Sequence, residues 1–186
     1  MGKRAFASES QVEQLVNEPD VLAHVLKDDG TFPNSKLPLL VYRQAVLVPE
    51  HDPAAVFEQL FTANGWLGMW RNGIYSYQHY HSTAHEVLGV YHGSAKVQFG
   101  GERGVVHEIH RGDVIIIPAG VAHMNLGSTA GFGVVGAYPE GQDWDMNCGE
   151  AGERPRADRN IARLALPKMD PVYGLGGPLL EKWAAR

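Results

Sequence analysis

The chain of 186 residues sets 16 Lys and Arg against 21 Asp and Glu, a formal charge of −5, so an anionic polymer is repelled and nucleic acid is not an expected partner. Apolar residues make up 44%, enough for a core, while 22 Gly and 11 Pro imply many tight turns and speak against a helical bundle. No apolar stretch approaches the roughly 18 residues that cross a bilayer, Lys3 and Arg4 have no apolar run behind them, and Cys148 is a lone cysteine; the expectation is a cytoplasmic protein with no membrane partner.

In chain order, Ser10-Gln11-Val12-Glu13 forms a capping-box pattern ahead of Leu15 and Val16 and predicts a short amphipathic helix. Residues 40–47 read as a strand. Pro33 and Pro38 before it suggest a sheet edge, and its unpaired apolar backbone suggests a homodimer. A better-marked helix is expected at about 52–64, with Asp52 as N-cap, Pro53 at the first position, an apolar stripe of Val56, Phe57, Leu60 and Phe61, and Asn64-Gly65 as the stop. From Gly73 the chain turns to short segments rich in β-branched and aromatic residues, at 74–78, 87–91, 96–99, 105–109, 114–117 and 132–138, separated by glycine-bearing turns. Strands at this spacing mean a sandwich or barrel. Residues 139–178 are polar and rich in Gly and Pro, and a last helical piece is expected at 179–185.

Seven of the nine histidines fall between His79 and His123. His79 and His81 are two apart, which on a strand puts both imidazoles on one face and on a helix would separate them by about 200°. Tyr75 and Tyr77 share that parity, either as core aromatics or as walls offering hydroxyls to a substrate. Glu86 follows on the next β segment, and His123 comes just after the turn at Pro118-Ala119-Gly120. Three imidazoles and a carboxylate suffice for one divalent transition metal ion, Fe, Mn, Ni or Zn, with positions left open for water or substrate. His85 has the opposite parity to Glu86 and reads as outward-facing or supporting. Glu140, Asp143 and Asp145 read as a solvated loop in a position to act as a lid, and Cys148 as structural.

These residues also form a family pattern, and the chain resembles the cupin superfamily of small double-sheet β-barrels. The first cupin motif, G-x5-H-x-H-x4-E-x6-G, is met by Gly73, His79, His81, Glu86 and Gly93. The second, G-x5-P-x-G-x2-H-x3-N, is met by Gly112, Pro118, Gly120 and His123; Gly127 stands in place of its final Asn, and Asn125 lies two residues after His123. The flanking segments are similar to those of small single-domain bacterial cupins. The resemblance implies an all-β fold, a double-stranded β-helix or jelly-roll barrel with short flanking helices, in a single domain over 1–186. The barrel core would span about 68–138, with an N-terminal helical and strand extension over 1–67 and a C-terminal wrapping segment over 139–186.

The function that follows is a mononuclear metalloenzyme acting on a small oxygen-bearing molecule, dioxygenase-like or isomerase-like, with His79, His81, Glu86 and His123 on the ion and Glu86, Tyr75 and Tyr77 as catalytic residues. The rival reading is a non-catalytic module binding a small molecule or metal, because one fold hosts many functions. A metal-free epimerase would need an acid/base pair where this chain has a ligand set.

Overall fold

The computed structural model describes residues 15–184. The capping-box residues 10–13 lie outside that range, while Val16, expected on the same helix, forms an antiparallel bridge with Val46. The described residues form nine strands and three helices: β1 Asp20–Leu26, β2 Ser35–Arg43, α1 Ala55–Ala63, β3 Trp66–Asn72, β4 Glu86–His92, β5 Ser94–Phe99, β6 Val105–His110, β7 Val114–Ile117, β8 His123–Ser128, β9 Gly133–Pro139, α2 Arg156–Arg163 and α3 Pro178–Ala184. The strands make a six-stranded sheet in the order β1-β2-β7-β4-β9-β3 and a three-stranded sheet in the order β6-β5-β8. Every ladder between them is antiparallel. Two antiparallel sheets facing each other, with few short helices outside, are the expected jelly-roll barrel.

Parity along the strands divides the core in two. Leu39, Val41, Leu88, Val90, Ile115, Ile117 and Val134 point between the sheets and meet Val97, Phe99 and Ile109. Their neighbours Leu40, Tyr42, Val87, Val114, Ile116 and Val135 point out of the larger sheet, under Phe57 and Phe61 of α1 and Leu179 and Trp183 of α3. Both faces of that sheet are therefore buried, which is why its strands read as continuous apolar runs. Gly89 sits in β4 because a Cβ there would lie 2.2 Å from the Phe57 ring.

Several sequence expectations are corrected. The strand at 40–47 lies earlier, at Ser35–Arg43, and is internal, because β1 pairs along it from Asp20↔Arg43 to Leu26↔Ser35. The sheet edge on this side belongs to β1, with β3 at the other, so the unpaired-backbone argument for a homodimer does not apply to β2. Helix α1 buries the predicted stripe of Val56, Phe57, Leu60 and Phe61, yet Asp52 does not cap it with its side chain. Asp52 takes a left-handed φ of 46°, its carbonyl accepts from Ala55 N–H, and its carboxylate pairs with Arg71. Residues 74–78 join no ladder; Tyr75 and Tyr77 stack on each other at 5.0 Å instead. Strands β1, β3 and β8 and helix α2 lie outside the elements expected from the sequence, whereas α3 falls where the last helical piece is expected.

The C-terminal segment is anchored by one buried carboxylate. Asp170 accepts Tyr42 O–H at 2.6 Å and the backbone N–H groups of Val172, Tyr173 and Leu179 at 2.8–3.1 Å. Trp183 Nε1–H adds a bond to Pro38 O at 3.0 Å. Tyr42→Phe removes the hydroxyl donor from a fully buried carboxylate and is expected to lower stability by about 1–3 kcal/mol in urea unfolding. A midpoint unchanged from wild type would contradict this anchoring role.

Candidate metal centre

The extended stretch 79–81 is held between two bridges. His79 and His123 exchange backbone hydrogen bonds at 2.9 and 3.3 Å, and Tyr80 exchanges two with Asn147 at 2.8 and 3.0 Å. His79 and His81 consequently project to one side and the fully buried Tyr80 to the other. Glu86 opens β4 opposite Ile117, with the inward parity of Leu88 and Val90, and His123 opens β8 opposite Phe99. Each sheet and the β3–β4 connection thus contributes to one buried cluster, with every one of the four side chains no more than 6% exposed.

The hydrogen bonds fix which nitrogen of each ring carries hydrogen. Nδ1 of His79 faces Tyr77 O at 3.1 Å, Nδ1 of His123 faces Val121 O at 3.3 Å, and Nδ1 of His81 faces Asp145 O. A carbonyl only accepts, so all three Nδ1 atoms are donors and, in the neutral rings, the Nε2 atoms carry lone pairs. Glu86 Oε2 stands 3.3 Å from His123 Nε2 and 3.6 Å from His81 Nε2, buried and without a hydrogen-bond partner. A carboxylate oxygen facing imidazole lone pairs in a dry site calls for a cation, either a proton or a metal ion.

The acid–base balance reflects this need. Burial, with the charge of His123 adding to it, drives His79 down to about 3. Burial also works against charging His81, but the Glu86 carboxylate and the Asp145 carbonyl outweigh it and raise this ring. Burial alone would raise Glu86; His81 and His123 instead hold it below the usual carboxylate range. Among the described residues no group of three or more His, Cys, Asp or Glu side chains is arranged as it stands to hold a metal ion, and the His79 and His123 rings are packed 4.1 Å apart. The donor set nonetheless suits one: nitrogen and oxygen ligands at about 2.0–2.2 Å from an ion lie about 3 Å from each other, close to the separations around Glu86 Oε2.

Supporting contacts come from residues the sequence reading did not single out as site residues. Trp70 Nε1–H donates to Tyr138 Oη at 2.9 Å, and Tyr138 O–H donates to Glu86 Oε1 at 3.2 Å. Trp70 lies flat on β9 because Gly136 leaves it room; a Cβ there would stand 2.2 Å from the indole. Asp145, read as part of a solvated loop, turns its carboxylate to Ser82 N–H and O–H at 2.6 and 2.5 Å and its carbonyl to His81. That clasp seats Trp144 against His81 and Tyr138, at 5.6 and 6.2 Å between ring centres. The four cluster residues form the floor of a cavity of about 280 Å³, whose walls include Trp70, Tyr75, Tyr138, Trp144 and Met146.

Tyr75 is on that wall, its ring edge-on to His79 at 5.2 Å; Tyr77 stacks behind it and is not part of the lining. His85 points away from the cluster, as its parity implies: its Nδ1 accepts from Ala119 N–H at 3.0 Å and its ring packs on Trp183 at 4.8 Å. Asn125 is spent on a local turn, accepting from Gly127 N–H. Cys148, read as structural, is exposed, and burial together with Glu153 and Glu150 raises its thiol, the opposite of activation.

The two facing sheets and the motif residues gathered on one floor define a cupin barrel. The comparisons agree: the Cupin family model matches residues 68–138, and the chain is 40% identical over 167 residues to the uncharacterised protein YjlB of Bacillus subtilis (strain 168), covering 89% of this chain and 98% of that one. The chain belongs to the cupin family. Among solved structures it is similar to acireductone dioxygenase from Bacillus anthracis, carrying a cadmium ion in its active centre, at 15% identity, TM-score 0.39, 76% of this chain and 91% of that one. It is also similar to procruciferin, an 11S globulin from Brassica napus, at 15% identity, TM-score 0.36 and 66% of this chain, which spans only 30% of that protein's length.

A pH dependence follows from His85. Burial holds it at about 4, below its ordinary 6.5, so the unfolded chain binds a proton that the folded chain refuses between those values. Stability is therefore lost as pH falls from about 6.5 to 4, by up to about 1.4 kcal/mol per pH unit from this one group. His85→Asn is expected to flatten urea-unfolding stability against pH over that window; an unchanged slope would contradict the assignment.

Proposed function

We propose that the protein is a mononuclear metalloenzyme acting on a small oxygen-bearing molecule, with His79, His81, Glu86 and His123 holding one divalent Fe, Mn, Ni or Zn ion. The observation that carries this reading is Glu86 Oε2, buried, unpartnered and facing two imidazole nitrogens. When bound, such an ion supplies Lewis acidity or, if redox-active, dioxygen activation. The chain's own groups do the rest. Carbonyls of residues 77, 121 and 145 keep the three Nε2 atoms turned inward. Tyr138, its hydroxyl raised above its ordinary range by burial and by the Glu86 charge, keeps its proton and steadies Oε1. Glu86 and Tyr75 face the substrate space; Tyr77 supports Tyr75 from behind.

No described helix is long and apolar enough to cross a membrane, and we place the protein in the cytoplasm. Assembly as a homodimer belongs to the same reading, now through β1, where Val25 is 63% exposed. Light scattering is expected to give twice the 20.4 kDa chain mass, and Val25→Lys a single chain; a single-chain mass for the wild type would end the dimer proposal.

The decisive measurement is metal content. After reconstitution, elemental analysis is expected to find about one ion per chain in wild type and in His85→Asn, and well under half in His81→Ala and Glu86→Gln, with β-sheet spectra unchanged. Substoichiometric metal in the wild type would overturn the reading. Catechols, 1,3-diketones and keto acids, screened with each metal form by dioxygen uptake and product mass, separate enzyme from binding module: ligands that bind and are never altered would favour the module.

A further inference from the structure

The walls of the cavity limit what lies beyond the oxygen end of the ligand. Two indoles and two phenols, those of Trp70, Trp144, Tyr75 and Tyr138, surround it with Ile74 and Met146. Tyr138 and Trp144 stand nearly parallel, at 24°, and present flat faces. The two polar tips nearest the cluster are already used, with Trp70 N–H on Tyr138 and Tyr138 O–H on Glu86, while the Tyr75 and Trp144 rings are about half exposed and their polar tips are neutral. Outside the His/Glu cluster, the one cationic side chain among the lining residues is Arg71. Its guanidinium is committed elsewhere, with Nε and Nη2 on Glu58 at 2.6 and 2.7 Å and Nη1 on Asp52 at 2.9 Å. Arg71 follows Trp70 on β3, so while Trp70 turns to the cavity, Arg71 turns to the opposite face, where Glu58 of α1 meets it.

We infer that the ligand is a single flat, mostly apolar ring compound whose only ionisable oxygens are those presented to the His/Glu cluster, with no phosphate or carboxylate on its far end. This deepens the metalloenzyme reading and rests on it for the placement of the oxygen end. A second anionic group would be desolvated among aromatic walls with no counter-charge, which costs far more than those walls return by contact. At about 280 Å³ the cavity lies just below the roughly 300–1,000 Å³ of sites for drug-sized ligands, which suits a small ring compound better than a nucleotide. The exposed Trp144 indole, held at the mouth by the Asp145 clasp, is the face on which the ring rests.

The test uses two probes with the same oxygen head and different far ends, 4-methylcatechol and 3,4-dihydroxybenzoate, titrated calorimetrically into the full-length metal-reconstituted protein, with metal content measured on the same sample. The neutral probe is expected to bind at least about tenfold more tightly, and Trp144→Ala, which leaves Glu86 and the histidines in place, to lose most of that affinity. Equal affinity, preference for the carboxylate, or no binding of either probe overturns the inference. If the neutral preference holds in protein that carries no metal, the inference stands and the metal reading falls. A sample that holds its ion yet fails to discriminate leaves the metal reading standing and removes this one.

Discussion

The buried carboxylate of Glu86 is the constraint around which the rest is arranged. A carboxylate removed from water at a cost of several kcal/mol needs compensation, and its Oε2 finds only imidazole nitrogens. Those nitrogens are lone-pair bearers because three backbone carbonyls claim the hydrogen on the far side of each ring. Compensation is then left to a cation. Raised His81 beside depressed Glu86 describes the same demand met by a proton; the proposed divalent ion would meet it with greater charge among the same donors.

Such a site survives only in a rigid frame, and the frame is visible in contacts that have no part in chemistry. The bridges His79↔His123 and Tyr80↔Asn147 fix both neighbours of the short stretch that carries two imidazoles. Asp145 holds Ser82 by its side chain and His81 by its main chain, so the loop over the cavity and the ring beneath it are one unit. Gly136 lets Trp70 lie against β9, and Trp70 in turn orients Tyr138 onto Glu86. Behind the larger sheet, Asp170 ties the C-terminal segment to Tyr42 of β2, and Trp183 on α3 covers the face to which His85 belongs.

What the sequence made legible is what depends on local spacing. Parity gave the side of the strand for His79, His81 and Glu86, and correctly sent His85 to the other side; the apolar stripe of α1 and most barrel strands follow from the same kind of count. What it hid depends on partners distant in the chain. Asp52 looks like an N-cap until Arg71, 19 residues later, claims its carboxylate. Residues 40–47 look like an edge until β1 is seen beside β2, and β1 itself, with polar Asp20 and His24 and the exposed Val25, has too irregular a pattern to declare itself. Asp145 looks solvated because Ser82 lies 63 residues away.

The two kinds of tyrosine show why composition could not choose among hydroxyls. Tyr75 and Tyr77 share the parity of the histidine pair, and that parity would carry meaning only if 74–78 were a strand. With no ladder to hold it, the segment lets the two rings stack on each other, each nearly half exposed, and only Tyr75 reaches the cavity wall. Tyr138 has no motif around it, but β9 lies beside β4 in register, with Val87 opposite Ala137, and this sets Tyr138 next to Glu86. A hydroxyl fixed between an indole donor and a buried carboxylate is a defined polar group, whereas one on an exposed stacked ring is an apolar surface with a wet tip. Sheet register, rather than proximity in sequence, therefore assigns the polar work to Tyr138 and leaves Tyr75 to shape the wall.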